Sequence, residues 1–580
     1  MRRRGRTVKN GLSSGNGNAQ TTLVEARRQQ NLQRAVSSLP PELVLLIFKY
    51  VKDTITHESW RRRTIVDQKS WIPLTHVYHL WRNIALCATH LWTDIQISSS
   101  NNSWASEMLL RSKQSPLIAR VEFDDPNQRT KIHRDVNGAL TALEKNLWRC
   151  RQVSLLGVTN DTFSQFFHTN GDATQLHTLR LATNPLSEYS KRMPKLSDQL
   201  LGFDTLRQLT LISGELDFRA SFLRRLTHLK IRRYSTWEAD SFLDFLKILP
   251  QMFALEMLDI DHTFTRSYDT FPDIKVALPN LKDLRLSGSI RDIANVISVL
   301  VPPASINVRL EAWQTIDVAS QADSVECCCT VLKSLSSIFA SPSSNTSLVT
   351  LTPQQPIRSY RLYHDLQGKY KFQAFREQIS QHDMVANDFE PFVDCMLECG
   401  TLLDDEEMTF VSALLDTLPL SHLVTMQIVS TLPLPIEIWA EIFGKTPSLQ
   451  SILLWGEGSP LQIFDTLGFG RKKGSPTPPP FPSLETIFLH GSDLVGQSPE
   501  AHRSLLSHLE SLVAVGSWRP RVIIFGPSTA VYEGIIDDLR KFVDHVESDA
   551  SIFELDKTFE DIIRDAEDEF ELEFEMQGVN

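Results

Sequence analysis

Along this 580-residue chain one spacing keeps returning: an apolar residue, a second three positions on, and a third two positions after that. It runs Leu176/Leu179/Leu181, Leu206/Leu209/Leu211, Leu226/Leu229/Ile231, Leu255/Leu258/Ile260 and Leu281/Leu284/Leu286, with Cys150/Val153/Leu155 as an earlier copy. It returns as Leu449/Ile452/Leu454 and Leu484/Ile487/Leu489. The last two members of each copy stand two apart, the period of a strand, so they share one face and the residue between them points to the other. Successive early copies lie about 20 to 30 residues apart, room for one strand and one helix. A unit that small cannot bury its own apolar face, so neighbours must stack. The expected body is an irregular solenoid of strand-plus-helix units, α/β (α+β) in class, over residues 101–545.

The pattern resembles leucine-rich repeats. One departure stands out. The asparagine or cysteine usual three residues after the last leucine occurs only as Asn184; elsewhere the position holds Gly214, Tyr234, Thr263 or Ser289. That side chain normally satisfies backbone groups of the turn, so irregular turns and uneven units are expected. Between about 300 and 430 no register can be assigned. The residues between the inward leucines are where a substrate would be read. Arg180, His228, Lys230 and Arg232 are expected to form a basic patch beside Asp259 and Asp261. Leu453, Trp455, Phe488 and His490 are expected to be exposed, and aromatic anchors of that kind carry binding energy at interfaces. A slip of one residue in register would move all of them into the core, and flanking loops or the acidic tail could cover them. Both alternatives stay open.

The N-terminal part reads differently. Leu39-Pro40-Pro41-Glu42-Leu43-Val44-Leu45-Leu46-Ile47-Phe48 opens with prolines, tolerated where the first helical N–H groups lack partners, and with an acid that complements the positive helix end. The helix is then apolar nearly all round and needs cover on more than one side, from the chain or from a partner. In the segment from Trp71 to Leu86, Leu74, Val77, Trp81 and Ile84 recur at helical spacing. Leu91-Trp92 and the alternating Asp94-Ile95-Gln96-Ile97 predict a turn and then a strand.

The ordered set Leu39-Pro40-x-Glu42-Leu43…Ile47-Phe48, Val77…Trp81-Arg82-x-Ile84-Ala85, Leu91-Trp92 resembles the F-box, in the form found in fungal families that continue into repeat-like bodies. Tyr78 replaces the frequent cysteine after Val77, His90 replaces the proline before Leu-Trp, and the connection from Val51 to Trp71 is long and basic. The resemblance covers residues 38–100. It implies an adaptor-binding set of Leu39, Pro40, Leu43, Ile47, Val77 and Trp81, the first four facing a Skp-type adaptor and Trp81 holding the helices together. Through the adaptor it implies a cullin. The chain would be the substrate-recognition subunit of a cullin–RING (SCF-type) ubiquitin ligase, with an unidentified protein substrate on the repeat body and an address in the cytoplasm, the nucleus or both. The alternative is an interaction scaffold without a ligase, whose helical module caps the solenoid.

Residues 1–37 are basic and rich in Gly, Asn and Gln, read as a disordered tail. Arg2, Arg3, Arg4, Arg6 and Lys9 fit a solvated tail or a weak nuclear address. Residues 341–356 and 470–482 are rich in Pro, Ser or Gly and predict exposed loops. The stretch Leu434–Phe443 imitates a second F-box start but runs directly into the copy at Leu449, and reads as a solenoid helix. Residues 546–580 form an acidic tail or a terminal helix interleaved with Phe559, Phe570 and Phe574.

Net charge is −11, which argues against a nucleic-acid surface, because phosphate neutralisation needs clustered Lys and Arg. No apolar run approaches the length of a membrane span, and the N-terminus has no secretory apolar region. Seven cysteines make no disulfide framework. Gly468-x-Gly470-x-x-x-Gly474 lacks the lysine of a phosphate loop. Cys327-Cys328-Cys329 diverge from one another, and Cys395-x-x-x-Cys399 is read on a helix with no second pair at zinc spacing. His76 and His79 are read on one helix, at the adaptor side or the surface. No cofactor, metal or catalytic constellation is expected.

Overall fold

In the computed structural model the described residues are 38–62, 71–98, 102–122, 133–158, 173–183, 195–196, 204–213, 215–232, 239–261, 275–303, 305–314, 321–339, 356–365, 368–380, 389–398, 404–417, 419–430, 446–455, 483–490, 521–525 and 537–548, with a few isolated positions between them. The segment Leu434–Phe443 and nearly all of both tails and both predicted loops lie outside them, and strand structure runs past the expected start of the acidic tail, through residue 548. The chain divides into two compact units, residues 1–190 with 572–580, and 191–571.

The first unit opens with α1 (Pro41–Arg62) and α2 (His79–Cys87). Trp71 to Leu86 is not one helix: a short 3-10 turn (Ile72–His76) ends before Tyr78, whose extended backbone starts α2. His76 and His79 therefore sit on different elements. The predicted turn and strand follow, as a 3-10 turn (Thr89–Trp92) and β1 (Asp94–Ile97). Then come α3 (Asn102–Arg111), β2 (Leu117–Glu122), α4 (His133–Glu144), β3 (Cys150–Val158) and β4 (Thr178–Thr183). The four strands pair in parallel in chain order. Ile95, Ala119, Val153 and Leu179 form one row across them, Ile97, Val121, Leu155 and Leu181 a second, and all eight are buried. Strand–helix alternation thus begins at Asp94, earlier than the leucine spacing reveals, because Ala119 and Val121 stand in for leucine. Gly157 has φ 72°, a left-handed conformation open to glycine at low cost, where β3 shifts register against β4.

The second unit repeats the scheme. Its strands are β5 (Gln208–Ile212), β6 (His228–Arg232), β7 (Met257–Asp261), β8 (Asp283–Ser289), β9 (Asn307–Trp313), β10 (Ser359–His364), β11 (Lys369–Phe375), β12 (Val393–Glu398), β13 (Thr425–Ser430), β14 (Ser451–Trp455), β15 (Thr486–His490), β16 (Val522–Phe525) and β17 (His545–Ser548). Its longer helices are α5 (Ala239–Ile248), α6 (Ile290–Val299), α7 (Gln321–Phe339) and α8 (Asp404–Thr417). β5 to β9 pair in parallel in sequence order, as do β13 to β17. Four copies enter their strand through a short turn that ends on the first leucine of the copy, whose N–H donates to the carbonyl three residues back: Leu226 to Leu223, Leu255 to Met252, Leu281 to Leu278, Leu449 to Thr446. The next two leucines are buried, each contributing roughly 1.5–3 kcal/mol by leaving water.

The stretch that resisted register holds the one departure from parallel order among the described strands of this unit. After β9 the chain passes through α7 and lays down β10, and then runs back. β11 pairs antiparallel with β10, and β12 antiparallel with β11. β12 joins β9 in parallel, and β10 joins β13 in parallel. The reversal after β10 is made by Asp365 and Gly368. The Asp365 carboxylate accepts from the Lys369 N–H at 2.9 Å, and Gly368 takes φ 74°. The apolar spacing persists here as Ile357/Tyr360/Leu362 and Leu423/Met426/Ile428, all buried.

Helices cover the leucine side. Ile290, Ile293, Ala294 and Ile297 recur at helical spacing on α6, are buried, and face β8 and β9. α6 packs on α7 and α7 on α8. Ser289, which replaces the repeat asparagine, is the N-cap of α6, its hydroxyl accepting from the Asp292 N–H at 3.2 Å. Cys395 lies on β12, not on a helix, and is buried. Cys328 and Cys329 are buried on α7 while Cys327 is half-exposed.

Candidate functional site

Two surfaces emerge, one in each unit. The first is on α1. Phe48 is fully buried, edge-on to Trp71 at 6.0 Å and to Trp81 at 5.8 Å. Trp71 meets Trp92 at 5.1 Å, and the Trp92 indole N–H donates to the Ala85 carbonyl at 2.8 Å. This aromatic nest fixes one face of α1 through Val44 and Phe48. The other face is open: Leu43 is 46% exposed, Leu46 59%, Ile47 36% and Tyr50 73%. These four stand at i, i+3, i+4 and i+7, a continuous apolar stripe. Val77 is exposed as well. Of the residues implied by resemblance, Pro40, Leu43, Ile47 and Val77 are exposed, Leu39 is half-buried, and Trp81 is buried in the nest. Leu46 and Tyr50, which the resemblance did not supply, extend the stripe; the helical period from Leu43 would have found them.

The second surface is the strand face away from the leucines. Register carries one row of residues across twelve strands: Thr210, Lys230, Asp259, Arg285, Arg309, Asp394, Gln373, Arg361, Gln427, Leu453, Phe488 and Ile524. The register of the leucine copies is as expected, but the basic patch is not. Lys230 Nζ lies 3.0 Å from Asp259 Oδ2, and Arg232 Nε 3.7 Å from Asp261 Oδ2, so each cation is answered by the next strand. Arg309 Nε lies 3.7 Å from Asp394, which also has Lys371 at 4.0 Å. Arg361 is fully buried; its Nε donates to Gln427 Oε1 at 2.8 Å and its Nη1 to Gln373 Oε1 at 3.1 Å. Arg180, on β4 of the first unit, is half-buried beside Ser154 on β3.

At the far end of the row the expectation of exposure fails. Leu453 and Phe488 are 0% and 3% exposed and pack together, with Trp455 and Ile524 partly buried against them. Burying apolar groups on both sides of β14 and β15 removes them from water twice over, the usual state of a central parallel strand. His490 is the last residue of β15. Arg285, Arg309, Asp394, Gln373, Arg361 and Gln427 were not among the residues singled out from sequence. Arg285 was legible, standing between Leu284 and Leu286; those from Gln373 to Gln427 required the strand reversal.

Among the described residues no group of three or more His, Cys, Asp or Glu is placed to hold a metal ion, and no helix is long and apolar enough to cross a membrane. Burial pushes the Cys150 thiol up to about 12, far from a thiolate at neutral pH.

No family model matches the chain, and no curated protein matches it. Among solved structures it is similar to the Rad7 and Elc1 complex of yeast, at 13% identity and a TM-score of 0.25, over 85% of this chain and 96% of that one. It is also similar to the TLR13–ssRNA13 complex, at 11% identity and a TM-score of 0.23, over 71% of this chain and 40% of that one.

Proposed function

We propose that this chain is a protein-recognition subunit that docks on a Skp-type adaptor through α1 and presents its strand face to a protein substrate. The observation that carries the reading is the stripe Leu43, Leu46, Ile47 and Tyr50, exposed at helical spacing on a helix whose opposite face is locked by Phe48. Water contact by four large apolar side chains is unfavourable, and an apolar helix face laid into a partner's groove is a common way to relieve it. In this reading the chain performs no chemistry. It raises the local concentration of substrate lysines near a conjugating enzyme carried by the adaptor's cullin, in the cytoplasm, the nucleus or both. The accessible polar members of the row, Lys230, Arg285, Arg309 and Asp394, offer a substrate face of mixed charge, and complementary charges give specificity.

The test is co-expression of the full chain with a Skp-type adaptor, beside a Leu43→Glu/Ile47→Glu variant. Co-purification of the wild type and loss with a folded variant supports the reading. If neither binds while a known F-box protein does, the adaptor role falls and an interaction scaffold capped by the helical module is left.

A further inference from the structure

The first unit contains a cavity that the adaptor reading does not use. It measures about 130 Å³ and lies between the aromatic nest and α3. Trp92, Trp104 and Leu86 supply apolar wall, and Arg82, Arg111 and His76 supply nitrogen donors. Arg111 is fixed: its guanidinium lies 4.4 Å over the Trp92 ring and 5.8 Å from Trp104, and its Nε donates to Glu107 at 2.7 Å. Trp92 is itself tied to Ala85. A planar guanidinium held this way keeps donors directed without a further entropy cost. Arg82 comes from α2, is exposed, and has no carboxylate within ion-pair distance among the described residues. Glu107 offsets one of the two guanidiniums, so the rim keeps a net positive charge. The volume is that of about four waters, enough for an oxyanion head and a short stem.

We propose that this cavity binds an oxyanion, a phosphate or carboxylate on an aromatic or apolar stem, with Arg82 and Arg111 holding the oxygens and the stem lying against Leu86 and the accessible part of Trp104. The chemistry calls for both halves. Two guanidiniums recognise a group with several acceptor oxygens, and the apolar wall of Leu86 and Trp104 favours an apolar stem over a bare ion. The inference is independent of adaptor docking, because Leu43, Leu46, Ile47 and Tyr50 are absent from the cavity wall.

Calorimetric titration of the full chain with phenyl phosphate, benzoate and inorganic phosphate tests it, followed by a phosphotyrosine peptide against free phosphotyrosine to separate a side chain on a partner from a small molecule. Phenyl phosphate is expected to saturate one site and to bind more tightly than inorganic phosphate. Arg82→Gln, at an exposed position, is expected to weaken it about tenfold or more, the scale of one charge-assisted bond. Arg111→Lys keeps the charge but loses the planar stack, and is expected to reduce the preference for phenyl phosphate over inorganic phosphate. No saturable binding of any probe by the wild type, or equal binding by Arg82→Gln, overturns the proposal.

Discussion

Lys230 and Asp259 stand opposite each other on neighbouring parallel strands, Nζ 3.0 Å from Oδ2, yet their surroundings differ: the carboxylate is buried and the ammonium half-buried. The asymmetry fixes which partner the fold can spare. Freed of Asp259, Lys230 can extend its stem and return its charge to water. Freed of Lys230, Asp259 remains a carboxylate in a dry strand face. Asp259→Asn is therefore expected to cost about 1 kcal/mol, near the surface-pair range. Lys230→Met is expected to cost more, approaching the roughly 3 kcal/mol of a broken buried pair. Urea unfolding midpoints of the two variants check the order, and equal costs would mean that Arg285, the neighbour of Asp259 on β8, takes over its neutralisation.

On α1, binding and stability should separate residue by residue. Leu46 and Tyr50 face water, so Leu46→Glu/Tyr50→Glu is expected to leave stability within about 0.5 kcal/mol while removing adaptor binding. Phe48 lies against two indoles, so Phe48→Ala is expected to cost about 3–5 kcal/mol. Thermal melts paired with adaptor co-purification distinguish the two. If the charged pair of substitutions destabilises as much as Phe48→Ala, the stripe is part of the core and not a docking face.

Half-buried Asp292 and buried His364 in the second unit should pull stability in opposite directions with pH. Burial raises the Asp292 carboxyl to about 6, against the Ser289 hydroxyl bond and nearby Arg291, which lower it. Burial lowers His364, stacked on Tyr370 at 4.3 Å, to about 4, against Asp365, which raises it. For Asp292 the folded state holds the proton more tightly, so its contribution is full below pH 4 and is lost as pH rises through about 6. For His364 the unfolded state holds the proton more tightly, so stability is lost as pH falls from about 6.5 through about 4. Each shift corresponds to roughly 3 kcal/mol, and in the wild type they offset each other over the same window. Asp292→Asn is expected to leave a stability that falls toward acid, and His364→Gln one that falls toward neutral pH. Chemical denaturation of both variants between pH 4 and 7 reads the slopes, and a slope unchanged from wild type in either variant counts against the burial argument for that group.

How far the sequence foretold this arrangement depended on which side chains filled the inward positions. Where leucine and isoleucine did so, as at Leu229/Ile231 or Leu284/Leu286, strand, face and register were all legible from spacing. Where Ala119, Tyr360, Met426 or Cys395 did so, the same geometry was hidden, because those side chains fill core volume without marking a period. The return of β11 was also hidden. Its turn signal, Asp365 to Gly368, is local, whereas the choice to lay β12 beside β9 is made by pairing across more than 80 residues of chain. On the candidate surfaces, the excess of apolar residues on α1 called for cover from the chain or from a partner, and the stripe from Leu43 to Tyr50 is left uncovered by the chain's described residues. Pairing on the strand face did not, because Lys230 and Asp259 meet only when two registers are both known, and Phe488 is buried by neighbours on either side of its strand.

Arg361 offers the most exacting check of the reversed strand. It sits between β11 and β13, is fully buried, and divides its donors between Gln373 on one side and Gln427 on the other. Two strands of opposite direction are thus bridged by one planar group, with the Tyr363 and Phe375 rings 5.8 and 5.7 Å from its centre. A lysine carries the same charge but cannot aim two fixed donors at acceptors on opposite flanks. Arg361→Lys is expected to leave one glutamine carbonyl without its donor and to cost about 2 kcal/mol, in the range of an unsatisfied buried polar group. Arg361→Leu alone leaves both glutamines unsatisfied and is expected to cost more. The triple variant Arg361→Leu/Gln373→Leu/Gln427→Leu removes every member of the bridge and is expected to recover much of that loss, since an apolar replacement of a whole buried network often costs little. Urea midpoints of the three variants decide the matter. If Arg361→Lys is as stable as the wild type, the bridge does not hold β11 in place, and the antiparallel pairing rests on its backbone ladder and the Asp365–Gly368 turn alone.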